Sequence, residues 1–129
     1  MTGSRAVCLL LVCWTAVLLS VDRVIDGDTV QATVGVWVGP DGRPWPVPER
    51  IRLLAIDTPE RSGATRAAGE RAKAFTAAWL EARLPGPIPV VVYACRRDDF
   101  GRLLGMISTD GESLAAALLQ AGHAKPYRE

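Results

Sequence analysis

Alternating apolar and polar positions in the first part of the chain predict strands. Residues 21–25 form a short strand that enters the turn DGD, and residues 29–38 alternate as a second strand. Residues 39–48 contain four Pro and two Gly in ten positions, which favours a long hairpin tip over a strand. Residues 49–56 (ERIRLLAI) predict a third strand, which leaves through the loop DTPE.

The hydrophobic period changes to that of a helix over residues 64–84. Residues 88–95 and 103–108 then predict two further strands, joined by the charged hairpin RRDDFGR. Ser113 can cap a short helix over residues 114–121. Three strands, a helix, two strands and a short helix predict an α+β fold, mainly β, with the five-stranded barrel of an OB-fold. The apolar stripe of the long helix consists of Ala68, Ala72, Phe75, Trp79 and Ala82.

The first residues have the outline of a secretory signal. Residues 1–5 contain one positive charge, and residues 6–19 are apolar except for Thr15. This run of 14 residues is short for a spanning helix, which needs about 20. We therefore expect residues 1–20 to be a signal peptide or N-terminal anchor and residues 21–129 to form the domain. The protein would be secreted or periplasmic; an uncleaved membrane anchor and a buried first strand remain open alternatives.

Composition limits the function classes. The 129 residues suit one domain, and 49% hydrophobic with 22% charged residues indicates a globular chain. Fifteen Lys and Arg against fourteen Asp and Glu exclude a strongly basic DNA clamp. The cysteines are Cys8, Cys13 and Cys95. Removal of the leader would leave Cys95 alone, so we expect neither an internal disulfide nor a thiolate metal site.

Three short motifs place acidic and basic side chains at strand ends. They are DGDT at residues 26–29, RLLAIDTPE at residues 52–60 and DFGR at residues 99–102. Neighbouring strands could bring Asp28 beside Asp57, and two carboxylates with open positions suit Ca²⁺ or Mg²⁺ better than Zn²⁺. Two arginines nearby would hold a phosphate. A metal, a carboxylate base and paired arginines together predict a phosphodiester hydrolase.

Each motif alone has a plainer interpretation. DGD is more often a turn than a metal site, and DTPE resembles a helix-start or turn signal. Arg52 could pair with Glu49 or Glu70 at the surface, a contact that contributes little to stability. Arg102 could be a solvated hairpin residue. The occurrence of all three motifs in one chain favours the functional interpretation.

The order of the motifs resembles that of the staphylococcal nuclease (thermonuclease) family over residues 21–125. VIDGDTV, RLLAIDTPE and DFGRLLG follow in family order, and GESLAAALLQAGHAK is similar to its late turn, helix and strand. The resemblance implies a Ca²⁺-dependent endonuclease that hydrolyses DNA and RNA and leaves 3′-phosphate ends. We expect one Ca²⁺ ion, no small-molecule cofactor, single-stranded or frayed substrates and a monomer. The family's third helix is expected to be absent.

The resemblance also implies roles for individual residues. Asp28 and Asp57 would bind Ca²⁺ through their carboxylates, and Thr58 would bind it through its backbone carbonyl. Asp26 would stand behind them and hold metal-bound water. Glu60 would position or deprotonate the attacking water.

Four further residues would contact the nucleic acid. Arg52 and Arg102 would clamp the scissile phosphate and offset the charge of its transition state. Phe100 stands where the family has a Tyr, so it can stack on a base but cannot donate a hydrogen bond. Tyr127 lies near the family's base-stacking tyrosines. Two alternatives remain: a non-catalytic OB-fold module that binds nucleic acid, and a module tethered through residues 6–19 that needs a partner.

Overall fold

The computed structural model describes residues 13–37 and 40–128, which form eight strands and two α-helices. The helices are α1 (Arg66–Glu81), preceded by the 3₁₀ turn Gly63–Thr65, and α2 (Leu114–Gln120). The strands are β1 (Trp14–Asp26), β2 (Thr29–Trp37), β3 (Pro44–Leu53), β4 (Ile56–Asp57), β5 (Val91–Arg97), β6 (Leu103–Thr109), β7 (Glu112–Ser113) and β8 (Lys125–Pro126).

Five of these strands close into a barrel. β2 pairs antiparallel with β1 and β3, β1 pairs with β5, and β5 pairs with β6. Parallel pairing of residues 51–53 with residues 103–105 joins β3 to β6 and closes the ring. The predicted OB-like barrel is therefore confirmed, with α1 between its third and fourth strands and α2 after its fifth.

The core lies inside the barrel because successive side chains of a strand point to opposite faces. Val30, Ala32 and Val34 of β2 are almost completely buried, as are Ile51 and Leu53 of β3. The helices complete the core with apolar side chains on the faces that meet the barrel. The fully or largely buried ones among them are Ala72, Trp79, Leu80, Leu114 and Leu118, and Phe75 packs against them as predicted.

β1 begins well before the predicted domain start at residue 21. Residues 14–17 pair with residues 91–94 of β5, and Ala16 and Leu18 belong to the core. The domain start predicted from sequence is therefore too late, and a buried first strand describes this segment. A short apolar run is equally typical of a leader and of a buried strand, so periodicity could not separate the two.

A disulfide joins Cys13 to Cys95. The pairing of Trp14 with Ala94 brings the two cysteines side by side where β1 meets β5. The prediction of an unpaired Cys95 was wrong because it assumed that Cys13 leaves with the leader. Residues 1–12, which hold Cys8 and the rest of the predicted leader, lie outside the described residues.

The Pro-rich hairpin tip is shorter than predicted. Pro44, Pro46 and Pro48 stand at alternate positions of β3, opposite residues 33–37 of β2. Among the described residues, residues 51–53 are the only part of β3 that pairs with β6, so the Pro-containing part of β3 is a sheet edge. Proline is tolerated at an edge because its missing N–H can face solvent.

The predicted third strand is two strands in the structure. β3 ends at Leu53, and a turn that contains Ala55, with φ of +69°, separates it from β4. β4 then pairs with β8, which sets Asp57 opposite Lys125. This turn places the DTPE loop beside the end of the chain.

The remaining boundaries differ from the predictions by a few residues. α1 spans residues 66–81 instead of 64–84, and β5 begins at Val91 instead of residue 88. The turn residue Gly101 has φ of +82°, and Ser113 caps α2 by accepting a hydrogen bond from the next turn, both as predicted. In the described ranges, no helix is both long enough and apolar enough to cross a membrane.

Leu18→Ala should lower the free energy of unfolding by about 2–5 kcal/mol because it empties a buried position of the core. Leu19→Ala is the matched control, since Leu19 is 40% exposed; it should cost at most about 1 kcal/mol. Chemical denaturation of the full chain measures both changes. Two equally small effects would contradict the placement of residues 14–20 in the barrel.

Candidate functional site

The turn between β1 and β2 presents Asp28, whose side chain is only 9% exposed. The hydroxyl of Thr29 donates to its Oδ1 at 3.0 Å. The backbone N–H of Thr58 donates to its Oδ2 at 3.1 Å. These donors fix the carboxylate and tie the DGDT turn to the DTPE loop.

Arg52 of β3 brings the two predicted metal-binding carboxylates together. Its Nη1 lies 3.4 Å from Asp28 Oδ2, and its Nη2 lies 3.4 Å from Asp57 Oδ1. Nη1 also donates to the carbonyl oxygens of Leu53 and Ile56 at 2.8 and 2.9 Å. The guanidinium is therefore held between the end of β3 and both acidic motifs.

The surface interpretation of Arg52 is wrong, because its two proposed partners are bound elsewhere. Glu49 accepts two hydrogen bonds from Arg97, at 2.9 and 2.8 Å. Glu70 lies 3.8 Å from Nη1 of Arg61.

Close packing of α1 positions both acidic loops. A Cβ at Gly27 would lie 2.8 Å from Cβ of Ala72, and a Cβ at Gly69 would lie 2.7 Å from the carbonyl oxygen of Glu60. The hydroxyl of Thr76 donates to the carbonyl of Gly27 at 2.6 Å. Sequence reasoning missed these contacts, although a glycine inside a helical pattern such as Gly69 is a signal for close packing.

Glu60 is exposed, and within residues 13–37 and 40–128 its carboxylate has no hydrogen-bond or ion-pair partner. Its backbone carbonyl accepts a hydrogen bond from the Thr65 hydroxyl at 2.7 Å, which holds the loop. Glu60, Asp57 and Thr58 line one side of a depression of about 510 Å³, and residues 122–125 line the other. An unpaired carboxylate beside an open depression can accept a proton from water held there.

Arg102 lies immediately before β6 and is oriented by Asp98, a residue that sequence reasoning missed. Its Nε donates to Asp98 Oδ2 at 2.6 Å, and its backbone N–H donates to Oδ1 at 2.9 Å. Burial acts to raise the pKa of Asp98, but hydrogen bonds from Arg102 and from the Phe100 N–H outweigh it and hold the pKa below its usual value. The carboxylate therefore stays ionised and keeps the guanidinium in place.

Asp26 is bound by Arg61, whose Nε donates to Oδ1 at 2.9 Å. This hydrogen bond raises the pKa of Arg61 above its ordinary value. Through this contact, Asp26 anchors the start of the segment that leads to α1. No pattern in the sequence indicates this role of Arg61.

The two predicted aromatic contacts flank the arginines. Phe100 is 83% exposed, and its ring centroid lies 5.4 Å from Cζ of Arg102. Tyr127 is 48% exposed, and its ring centroid lies 5.8 Å from Cζ of Arg52. The backbone N–H of Tyr127 donates to the carbonyl of Ala55, which fixes the end of the chain beside the site.

The oxygen donors around Arg52 fit a hard cation. Asp28 and Asp57 supply two carboxylates, and Thr58 supplies a backbone carbonyl in the same loop. In the part of the chain that the structure describes, no group of three or more His, Cys, Asp and Glu side chains is placed to hold a metal. A cation here would therefore take its remaining ligands from water, as Ca²⁺ and Mg²⁺ readily do.

A family model described as staphylococcal nuclease homologue matches residues 50–129, which is more than half of the chain. The match includes Arg52, the DTPE loop and Arg102, and the DGDT turn precedes it. A search of curated proteins finds no match to the chain.

Asp98→Asn should loosen Arg102 and lower the free energy of unfolding by about 1–2 kcal/mol, since it removes a charge-assisted hydrogen bond. Asp99→Asn is the matched control, because Asp99 is the exposed neighbour in the same hairpin. Urea denaturation at neutral pH measures the difference.

The pH dependence of that difference has a defined sign. The folded-state pKa of Asp98 lies below its ordinary value of 3.8, so its stabilisation is fully present above that pH. It is lost as the pH falls through the lower folded-state pKa. The gap between the wild type and Asp98→Asn should therefore shrink on acidification, and a gap that widened would contradict this account.

Proposed function

Because the chain belongs to the staphylococcal nuclease homologue family, we propose that it is a nuclease-type hydrolase that cleaves DNA and RNA with one bound Ca²⁺. The observation that supports this most strongly is the single guanidinium of Arg52 in contact with both Asp28 and Asp57. The unpaired Glu60 stands at the end of the same loop. By the resemblance of the motifs, the products would have 3′-phosphate ends.

The charge balance supports a cation at this place. Asp28 and Asp57 contribute two negative charges, and Arg52 contributes one positive charge. The excess negative charge favours a divalent cation held by both carboxylates and by the carbonyl of Thr58. A bound cation would supply charge stabilisation to a phosphate oxygen.

The side chains of this chain would do the rest of the chemistry. Glu60 would take a proton from the water that attacks phosphorus, because its carboxylate is exposed beside the depression. Arg52 and Arg102 would contact the phosphate and offset the charge that develops in the transition state. Asp26 would support the metal-bound water, and Phe100 and Tyr127 would contact the nucleotide.

The disulfide supports an oxidising compartment, such as the periplasm or the exterior of the cell. Export is thus part of the proposal, with a mature chain that keeps Cys13. Cleavage after residue 20 would remove Cys13 together with the core residues Ala16 and Leu18.

Glu60→Gln should reduce cleavage of single-stranded DNA by at least about 10²-fold, because a general base typically contributes 10²–10⁴-fold. Glu81→Gln is the matched control: it removes one exposed carboxylate from the end of α1 and should leave the rate unchanged. The assay follows a labelled oligonucleotide with Ca²⁺ and with Ca²⁺ plus chelator, and circular dichroism checks that each variant is folded.

The outcomes separate the alternatives. Chelator-sensitive cleavage that Glu60→Gln abolishes supports the proposed enzyme. Binding without cleavage by a folded wild type would instead indicate a non-catalytic nucleic-acid-binding module. Cleavage that appears only after another protein is added would indicate a module that needs a partner. Full activity of Glu60→Gln would overturn the assigned role of Glu60.

Ca²⁺ should raise the Tm of the wild type by several degrees, since a ligand that binds only the folded state stabilises it by about 2.7 kcal/mol at a hundredfold excess over Kd. Asp57→Asn should lose most of this shift. Asp57 suits the test because its side chain is 39% exposed, so its replacement leaves the core intact. Asp99→Asn should keep the shift; equal shifts in all three proteins would argue against Asp57 as a ligand.

A further inference from the structure

A third arginine, Arg50, faces the same pocket as Arg102. Together with Phe100 these residues line a depression of about 310 Å³ beside the candidate site. The parallel register of β3 and β6 sets Ile51 opposite Leu103, so one step back along both strands places Arg50 beside Arg102.

Arg50 is held in position without being neutralised. Its Nε donates to Oε1 of Gln31, the residue opposite it on β2, at 3.3 Å. Gln31 in turn donates from Nε2 to the carbonyl of Glu49 at 3.3 Å. Arg50 is exposed, and within residues 13–37 and 40–128 no carboxylate forms an ion pair with it.

Three arginines elsewhere on the barrel and helix differ in this respect. Arg61, Arg83 and Arg97 are each bound to carboxylates, at 2.9, 2.8 and 2.8 Å respectively. A cation that is oriented by an uncharged amide keeps its full charge for an external anion. Its planar donors suit the oxygens of a phosphate.

The spacing fits a phosphate next to the one that is cut. Arg50 and Arg52 lie two residues apart on one strand, so their side chains project from the same face at Cα positions separated by about 6.6 Å. Successive phosphates of an extended single strand can meet such a pair in turn. The exposed ring of Phe100 lies at the same depression and offers a face on which a base can stack.

We propose that Arg50 and Phe100 form a second nucleotide subsite beside Arg102, in which Arg50 binds the phosphate adjacent to the scissile one. This inference rests on the proposed function, because it extends the path of a polynucleotide away from Arg52. Arg50 is here a binding residue that sets the preference for longer substrates, and it takes no part in bond cleavage.

The test measures binding of a labelled single-stranded oligodeoxynucleotide by fluorescence anisotropy as a function of salt. The full chain carries Glu60→Gln so that the substrate is not consumed in the presence of Ca²⁺. Arg50→Gln should weaken binding about tenfold, as expected for one charge-assisted hydrogen bond at an exposed site. It should also reduce the slope of log K against log salt by about 0.7, the value for one phosphate of a single strand.

Two variants serve as comparisons. Arg71→Gln removes the same charge from the exposed face of α1, and it should change neither affinity nor slope appreciably. Arg50→Lys should keep most of the salt slope, because the charge remains, while it loses part of the affinity with the planar fork. When Glu60 is left unchanged so that the protein can cleave, Arg50→Gln should raise KM more for an oligonucleotide than for a dinucleotide with one phosphodiester bond.

The outcomes distinguish this inference from the proposed function. Weaker binding by both Arg50 variants, with a reduced salt slope only for Arg50→Gln, supports the subsite. Equal losses for Arg50→Gln and Arg71→Gln would overturn it in favour of a general field effect, and unchanged binding by Arg50→Gln would overturn it while the nuclease assignment stands. A chain that neither binds nor cleaves the oligonucleotide would remove the proposed function and the subsite together.

Discussion

The guanidinium of Arg52 holds together the three segments on which the site depends. It bonds the carbonyls at the end of β3 and contacts Asp28 of the first turn and Asp57 of β4. An arginine that is 12% exposed and shared by two carboxylates is stabilised by all of its partners at once. The buried side of the site is therefore built around the positive charge of Arg52, while the side chain of Glu60 is exposed.

The second constraint is the close approach of α1 to both acidic loops. Gly27 and Gly69 provide room that a methyl group would fill, and Thr76 bonds the backbone of the first turn. Interiors are close-packed, so such contacts transmit small displacements instead of absorbing them. The barrel supplies β3, which carries Arg52, and β6, which follows Arg102 directly. The helix α1 fixes how the two acidic loops face these arginines.

Sequence reasoning predicted the barrel, the order of its elements and the residues of the three motifs. It misjudged β1 and the proline-containing part of β3, for related reasons. Residues 14–20 are apolar enough for a leader, and prolines usually end strands, yet pairing with β5 and an edge position override both local signals. The disulfide between Cys13 and Cys95 followed from that same pairing and was missed with it.

The sequence alone determined which side chains are available for chemistry, because motif residues and strand periodicity are local properties. It also determined the OB-like topology, since hydrophobic alternation and turn residues specify element order. Only the tertiary structure decided which charges are neutralised. Asp98 holds Arg102, Arg61 holds Asp26, and Arg50 keeps its charge beside Gln31. Such pairings depend on register and barrel closure, which join residues far apart in the chain and leave no local pattern to read.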